Sequence, residues 1–311
     1  MEFSHISIMP EECMEGLAIR PDGIYCDGTT GGGGHSLLIA QRLSEKGRLI
    51  CIDRDSEALK AAEERLWEHR SKITFVKSNF SEIAQVLKQL GIDGIDGMLL
   101  DLGVSSYQLD NGRRGFSYMQ DAPLDMRMDQ TQSFSAYDVI NTYSQEELKR
   151  VLWEYGEEKF SGRIARAIEQ ARQEKPIETT FELVDIIKNA MPAQAKREAQ
   201  HPAKRSFQAI RIEVNGELKA VEEAVENVID VLLPGGRIAV MSFHSLEDRI
   251  VKNVFAREAK GCTCPSNFPV CVCGKKPRVK LISKGVIMAK EKEVEENPRS
   301  RSAKLRVAEK L

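Results

Sequence analysis

From Ile24 onward, short apolar runs alternate with stretches whose apolar residues recur at helical spacing. Ile24-Tyr25-Cys26-Asp27 reads as a strand ending at Gly28, and His35 to Lys46 carries Leu37, Leu38, Ala40 and Leu43 on one helical face before Gly47 stops it. Arg48-Leu49-Ile50-Cys51-Ile52-Asp53 is the next strand, mostly apolar as a strand covered on both faces should be. A helix from Ser56 to His69, a strand Ile73-Thr74-Phe75-Val76, a helix from Ser81 to Leu90 and a strand Gly97-Met98-Leu99-Leu100-Asp101 follow. Each parallel crossover needs a helix to return the chain, so this order predicts an α/β fold with a parallel, doubly wound sheet.

After Gly103 the rhythm breaks. Residues 106–205 begin with a loop rich in Asp, Gly and Arg and continue as amphipathic helices without strands. Ser144-Gln145-Glu146-Glu147 and Thr179-Thr180-Phe181-Glu182 both match the capping box, in which hydroxyl and Glu each satisfy an orphan backbone N–H. Leu148, Val151, Leu152 and Tyr155 then form one apolar stripe. The α/β pattern resumes with a helix near Gly216 to Leu233, the turn Leu233-Pro234-Gly235-Gly236, a strand Arg237 to Phe243 and a helix from Ser245 to Glu258. Further strands near Gly285–Ala289 and Lys304–Glu309 could close the sheet edge. At about 150 residues per domain, 311 residues fit one core carrying a large insertion. The expected division is a discontinuous core, 1–105 and 206–311, around a helical substrate-recognition insertion, 106–205.

Composition narrows the class. A 41% hydrophobic share is ample for a packed core, and 45 basic against 47 acidic residues exclude a uniformly basic coat protein and a supercharged disordered chain. The absence of an apolar run of about 18 residues, and an opening without a basic then apolar leader, predict a soluble cytoplasmic protein with no membrane partner. Seven cysteines fit a reducing compartment better than a disulfide framework. The net charge of −2 hides an asymmetry, because residues 257–311 hold fourteen basic and six acidic side chains. A basic tail beside an acidic core points to phosphate contact by that tail.

The densest chemical signal is Asp27-Gly28-Thr29-Thr30-Gly31-Gly32-Gly33-Gly34-His35-Ser36. Five glycines at a strand-to-helix turn let backbone approach a ligand closely. A nicotinamide dinucleotide would place a pyrophosphate on the helix N-terminus, with Asp53 holding a ribose. Asp27, immediately before the first glycine, would repel a pyrophosphate but suits the ammonium and sulfonium cations of S-adenosylmethionine. Asp53, Phe80 and Asp101 follow the ends of successive strands and should converge on one crevice, with Phe80 available to a purine face.

Several blocks together resemble one family. They are Asp27 to Ser36, Leu99 to Asp110, Arg114-Gly115-Phe116-Ser117, Pro123 to Met128, Phe207-Gln208-Ala209-Ile210-Arg211, Ser242 to Arg249 and Glu296 to Ser302. The chain is similar across nearly its whole length to the bacterial ribosomal RNA small subunit methyltransferase H family. That resemblance implies a Rossmann-like core with a helical insertion, and methyl transfer from S-adenosylmethionine to the exocyclic N4 of a decoding-centre cytosine (cytosine 1402 in rRNA numbering) of 16S rRNA. It also implies cofactor contacts at Gly33, Gly34, His35, Asp53, Phe80, Asp101 and Gln108, and 16S rRNA within the small ribosomal subunit as partner. A homodimer is left open.

The catalytic group is less legible. Many amino methyltransferases carry Asn or Asp, two prolines and an aromatic after the fourth strand; here the sequence is Asp101-Leu102-Gly103-Val104, so that arrangement does not carry over directly. Asp101, Ser105 and His244 are the candidates to meet the base, His244 being equally suited to cap the helix that follows it. Arg113, Arg114, Lys204, Arg205 and Arg211 flank the insertion's junctions and, with Lys275, Lys276, Arg299 and Arg301 in the tail, are candidate RNA contacts. Cys262, Cys264, Cys271 and Cys273 form a C-x-C, six residues, C-x-C array: a candidate zinc site or a set of free, redox-labile thiols. The family's chemistry needs no metal. Rival readings are a methyltransferase of another nucleic acid, a cofactor-binding ribosome-assembly factor without catalysis, and a nicotinamide oxidoreductase.

Overall fold

The computed structural model describes residues 7–311 apart from 106, 107, 110, 194–199, 263, 266 and 284. The chain divides into two compact units, Met1–Gly103 with Leu218–Leu311, and Val104–Glu217.

The first unit is built on an eight-stranded sheet. β1 (Ile24–Asp27), β2 (Arg48–Asp53), β3 (Ile73–Lys77), β4 (Ile95–Asp101) and β5 (Leu232–Ser242) lie in the order β3-β2-β1-β4-β5, all parallel. The edge beyond β5 adds β6 (Val279–Leu281), β7 (Ile287–Met288) and β8 (Lys304–Lys310), with β8 antiparallel to β5. Alternation along each strand divides its side chains between two cores. Cys26, Ile50, Ile52, Met98, Leu100, Ile238 and Val240 face one side. Tyr25, Leu49, Cys51, Leu99, Ala239 and Met241 face the other. The first set packs with residues of α4 (Ile83–Gln89), α10 (Glu217–Val231) and α11 (Ser245–Lys260). The second packs with α1 (Pro10–Leu17), α2 (Gly34–Arg42) and α3 (Ser56–Arg65). Burial on both faces is why these strands read as apolar runs.

The second unit is helical: α5 (Ala136–Thr142), α6 (Gln145–Gly156), α7 (Ser161–Glu174), α8 (Thr180–Ala190) and α9 (Lys204–Asn215). Both capping boxes read from the sequence form. Ser144 Oγ accepts from Glu147 N–H while Glu147 Oε2 accepts from Ser144 N–H, and Thr179 with Glu182 repeats the pattern. Its separate core includes Leu148, Val151, Leu152, Ile164, Ile168, Leu183 and Ile187.

Several boundaries differ from those expected. Val104 and Ser105 fall in the second unit, and the turn expected at Leu233-Pro234-Gly235-Gly236 lies within β5. Residues 206–217, assigned to the core by sequence, lie in the second unit, because Phe207, Ala209, Ile210 and Val214 on α9 join its apolar cluster. α2 stops at Arg42 rather than Lys46, since Leu43 turns extended and Ser44 N–H donates to the Pro21 carbonyl instead of continuing the helix. Among the described residues, no helix is long and apolar enough to cross a membrane.

Candidate active site

Of the expected cofactor residues, Gly33, Gly34, His35, Asp53, Phe80 and Asp101 lie in the first unit, at or just beyond the carboxyl ends of β1 to β4, and Gln108 lies in the second. The glycine turn is tied to β2: Thr30 N–H and Oγ both bond the Ile52 carbonyl, and Gly31 N–H donates to Asp53 Oδ2 at 2.8 Å. Gly31 and Gly33 have φ of 50° and 76°, left-handed values that a side chain would strain. Gly28 is held by space: a Cβ there would stand 2.5 Å from the Met98 side chain and 3.1 Å from Phe80 Cβ. Phe80 is half-buried and therefore lies beside the turn. Gly33 is the N-cap of α2 with no side-chain cap, and no acidic residue occupies that helix's first turn. A helix start of this kind favours an anion.

Asp53 accepts from two backbone donors, Gly31 N–H and, at 2.9 Å, Asp55 N–H. The cap of α3 is Asp55, whose Oδ1 accepts from Glu57 N–H, so the helix does not draw on Asp53. Removal from water pushes the Asp53 carboxyl up to about 6, against the pull of its two backbone donors and with repulsion from Asp55 and Asp27 adding to the rise. Asp27 is buried beneath the turn, where Ser36 Oγ–H donates to Oδ2 at 2.6 Å and Thr29 N–H to Oδ1 at 3.1 Å. So placed, it offers a ligand no direct contact. Burial raises it too.

Asp101 ends β4 with its N–H on Thr29 Oγ at 2.6 Å. Burial, and then the charges of Asp27 and Glu247, raise its carboxyl well above the ordinary range. His35 Nδ1 stands 3.5 Å from Asp101 Oδ2, while Nε2 lies 2.9 Å from the Ile8 carbonyl. A carbonyl only accepts, so Nε2 carries hydrogen. The His35 ring thus lies between the Ile8 carbonyl and Asp101.

His244 is the N-cap of α11. Its Nδ1 accepts from Glu247 N–H at 3.4 Å, and Nε2 faces Glu247 Oε1 at 3.1 Å. Glu247 Oε2 in turn accepts from the N–H groups of Phe243 and His244. Nδ1 is thus taken up by the helix cap, while the buried Nε2 makes no hydrogen bond among the described residues. In the second unit, Ser105 N–H donates to Gln108 Oε1 and Gln108 N–H to Ser105 Oγ, at 3.1 and 3.2 Å. That reciprocal pair ties the two residues together, and Gln108 is buried.

The basic candidates divide sharply. Arg114 is 4% exposed and donates through Nη2 to the carbonyls of Arg127 and Met128. Arg211 forms a bidentate pair with Glu217 at 2.8 and 2.9 Å. These two guanidinium groups hold the second unit together internally, which removes the expectation that they meet phosphate. Replacing Arg114 with Ala strands buried carbonyls, so Arg114→Ala should cost about 2–4 kcal/mol of stability. Thermal unfolding checks this; an unchanged transition would show the guanidinium to be dispensable. Arg113, Lys204, Lys275, Lys276, Arg299 and Arg301 are exposed, and Arg205 donates to the Glu157 carbonyl.

A cationic groove was not legible in the sequence. Lys149 on α6, Lys159, and Arg163 and Arg166 on α7 line one open groove of the second unit with Gln145 and Gln170. All four cations are exposed, and none forms an ion pair among the described residues. Acidic neighbours interleave with them along the chain, so only folding reveals the cluster.

A crevice of the nucleotide-binding type, with Asp27, Asp53 and Asp101 at the ends of its strands, suits a cofactor that is itself positively charged. With the Rossmann-like order of the sheet it defines the class: an S-adenosylmethionine-dependent methyltransferase. The profile of the MraW methylase family matches residues 2–311, and the chain belongs to that family. It is 57% identical over 311 residues, 100% of this chain and 99% of the relative, to the ribosomal RNA small subunit methyltransferase H of Brevibacillus brevis. To the proteins of that name from Clostridioides difficile and Clostridium botulinum it is 54% and 56% identical over the full length of both chains. Among solved structures, an rRNA methylase from Streptococcus thermophilus aligns over 99% of each chain with a TM-score of 0.44 and 13% identity.

Proposed function

We propose that this methyltransferase modifies the exocyclic N4 of a decoding-centre cytosine in 16S rRNA, in the cytoplasm and on the RNA as presented by the small ribosomal subunit. The observation that carries the reading is full-length identity of 54–57% to relatives named as ribosomal RNA small subunit methyltransferase H.

The residues supply a coherent division of labour. S-adenosylmethionine, when bound, supplies an electrophilic methyl carbon. Gly34 and His35 at the α2 N-terminus offer backbone N–H groups to the cofactor's carboxylate, Gly33 shapes the turn while its own N–H is held by the Thr30 carbonyl, and Asp53 offers acceptors to the ribose hydroxyls. Phe80 gives an apolar face to the adenine. The field of Asp27, Asp53 and Asp101 favours the cofactor's cations.

In-line displacement at a methyl carbon needs little acid–base help, so positioning provides most of the rate. A cytosine amino group is a poor nucleophile because its lone pair is delocalised into the ring, and it must shed a proton as the new N–C bond forms. Asp101, in its ionised form, takes up that proton, since burial at the end of β4 raises its affinity for one. RNA is held by phosphate contacts from the Lys149–Arg166 groove, Arg113, Lys204 and the tail residues Lys275, Lys276, Arg299 and Arg301, while the target base is presented unstacked.

The test is transfer of labelled methyl from S-adenosylmethionine to 16S rRNA, offered both naked and as small subunits. Incorporation with a clear preference for the subunit supports the full reading. Cofactor binding without incorporation into either would leave an assembly factor in place of an enzyme.

A further inference from the structure

Seven cysteines sort into two populations. Cys13, Cys26 and Cys51 are buried among apolar side chains of the first unit, the usual station of a free cysteine. Cys262, Cys264, Cys271 and Cys273 lie near the surface in the loop after α11, and their four sulfurs all fall within 4.8 Å of one another. The resolved separations are 3.5 Å for Cys262–Cys271, 3.6 Å for Cys271–Cys273, 3.8 Å for Cys262–Cys273 and 4.0 Å for Cys264–Cys271. A tetrahedron with Zn–S bonds of about 2.3 Å has sulfur–sulfur edges of about 3.8 Å. A disulfide needs about 2.05 Å. The four sulfurs thus stand at the spacing of ligands to one central ion, which two separate pairs would not require.

Among its described residues, the loop has little beyond a backbone bond from Phe268 N–H to the Pro265 carbonyl to hold its shape, and Phe268, Val270 and Val272 are 49%, 71% and 73% exposed rather than packed in a core. Its two ends are fixed. Gly261, at φ 67°, packs so close to Lys276 and Pro277 that a Cβ would stand 2.4 Å from their backbone, and Arg278 N–H donates to the Glu258 carbonyl at 2.9 Å. Between these ends, Val272 N–H donates to Cys264 Sγ at 3.4 Å, the kind of backbone bond that stabilises charge on a ligating sulfur.

We propose that Cys262, Cys264, Cys271 and Cys273 form a structural zinc site that closes the loop between Gly261 and Pro277. Binding releases one proton from each of the four thiols to solvent and leaves a complex of net charge −2, beside which Lys260, Lys275 and Lys276 are exposed. Four protein ligands fill the coordination sphere, so the ion has no open position for a reacting group and its work is to hold the loop that carries Lys275 and Lys276.

Metal analysis of the full-length protein, expressed with zinc in the medium and purified in reductant without chelator, tests the proposal. One zinc per chain is expected, with thiolate-to-metal charge transfer and the ligand-field bands of a tetrahedral site after exchange into cobalt(II). In the double variant Cys271→Ser, Cys273→Ser the zinc content should fall to below about one tenth per chain. The same variant should retain its circular dichroism and S-adenosylmethionine affinity, since the loop lies outside both apolar cores of the first unit. Wild-type protein that neither carries zinc nor takes it up from a slight excess would overturn the site. So would iron in its place, zinc content indifferent to the double variant, or an intact mass lacking the hydrogens of the four thiols, which would mean disulfides.

Discussion

Replacing Asp53 with Ala is expected to weaken S-adenosylmethionine binding roughly ten- to hundredfold, the worth of charge-assisted hydrogen bonds of about 1.5–3 kcal/mol lost from the ribose. The variant also loses the acceptor for Gly31 N–H and Asp55 N–H, so a stability loss should accompany the affinity loss. Wild-type protein offers a cleaner version of the experiment through pH. Asp53 is pushed up to about 6 in the folded chain, well above a carboxyl's usual range, so its proton binds more tightly folded than unfolded. Above that value the folded, cofactor-free protein carries an unfavourable charge; as pH falls through about 6 the charge is neutralised and the fold gains stability. Cofactor affinity should move the opposite way, because the protonated carboxyl is a poorer acceptor. Calorimetric affinity and thermal unfolding between pH 7.5 and 5.5 read both trends. An affinity that does not change across this range would remove Asp53 from the cofactor site.

A second large effect is expected in the helical unit. Changing Lys149, Lys159, Arg163 and Arg166 together to Gln should weaken 16S rRNA binding. It should also flatten the dependence of log affinity on log salt by about 3, at roughly 0.7–0.9 per lost phosphate contact. Cofactor affinity should not move, since none of the four belongs to the unit that carries the glycine turn. A salt slope equal to that of the wild type would show that RNA lies elsewhere, and would turn attention to Lys275, Lys276, Arg299 and Arg301.

How far these features could be read before folding depends on the physics behind each. The five parallel strands were legible because burial on both faces leaves short, nearly unbroken apolar runs. β6 was not: it has three residues, and only Val279 of them is buried. α1 also gave no signal strong enough to place it. Nothing read from the sequence marked α9 as a helix or told which core its apolar residues would join, hence the boundary placed at 205/206 rather than 217/218. Around the cofactor, residues fixed by backbone chemistry were legible. The glycine turn demanded left-handed φ at Gly31 and Gly33, and Asp53 ended its strand where a ligand would sit. Charge was read less well. A buried Arg such as Arg114 and a phosphate-binding Arg are the same letter, and only the carbonyls of Arg127 and Met128 tell them apart. Conversely, Lys149, Lys159, Arg163 and Arg166 sit among acidic neighbours in sequence and separate from them only in space.

Nucleoside analysis of 16S rRNA after reaction with the purified protein and S-adenosylmethionine is the most direct measurement of what the acidic crevice does. The expected product is N4-methylcytidine at a single decoding-centre position, carrying methyl from the added cofactor and strongly reduced with the Asp53→Ala variant. Methyl found on cytosine C5, on a ribose hydroxyl or on no nucleoside at all would contradict the assignment of an amino nitrogen as the acceptor.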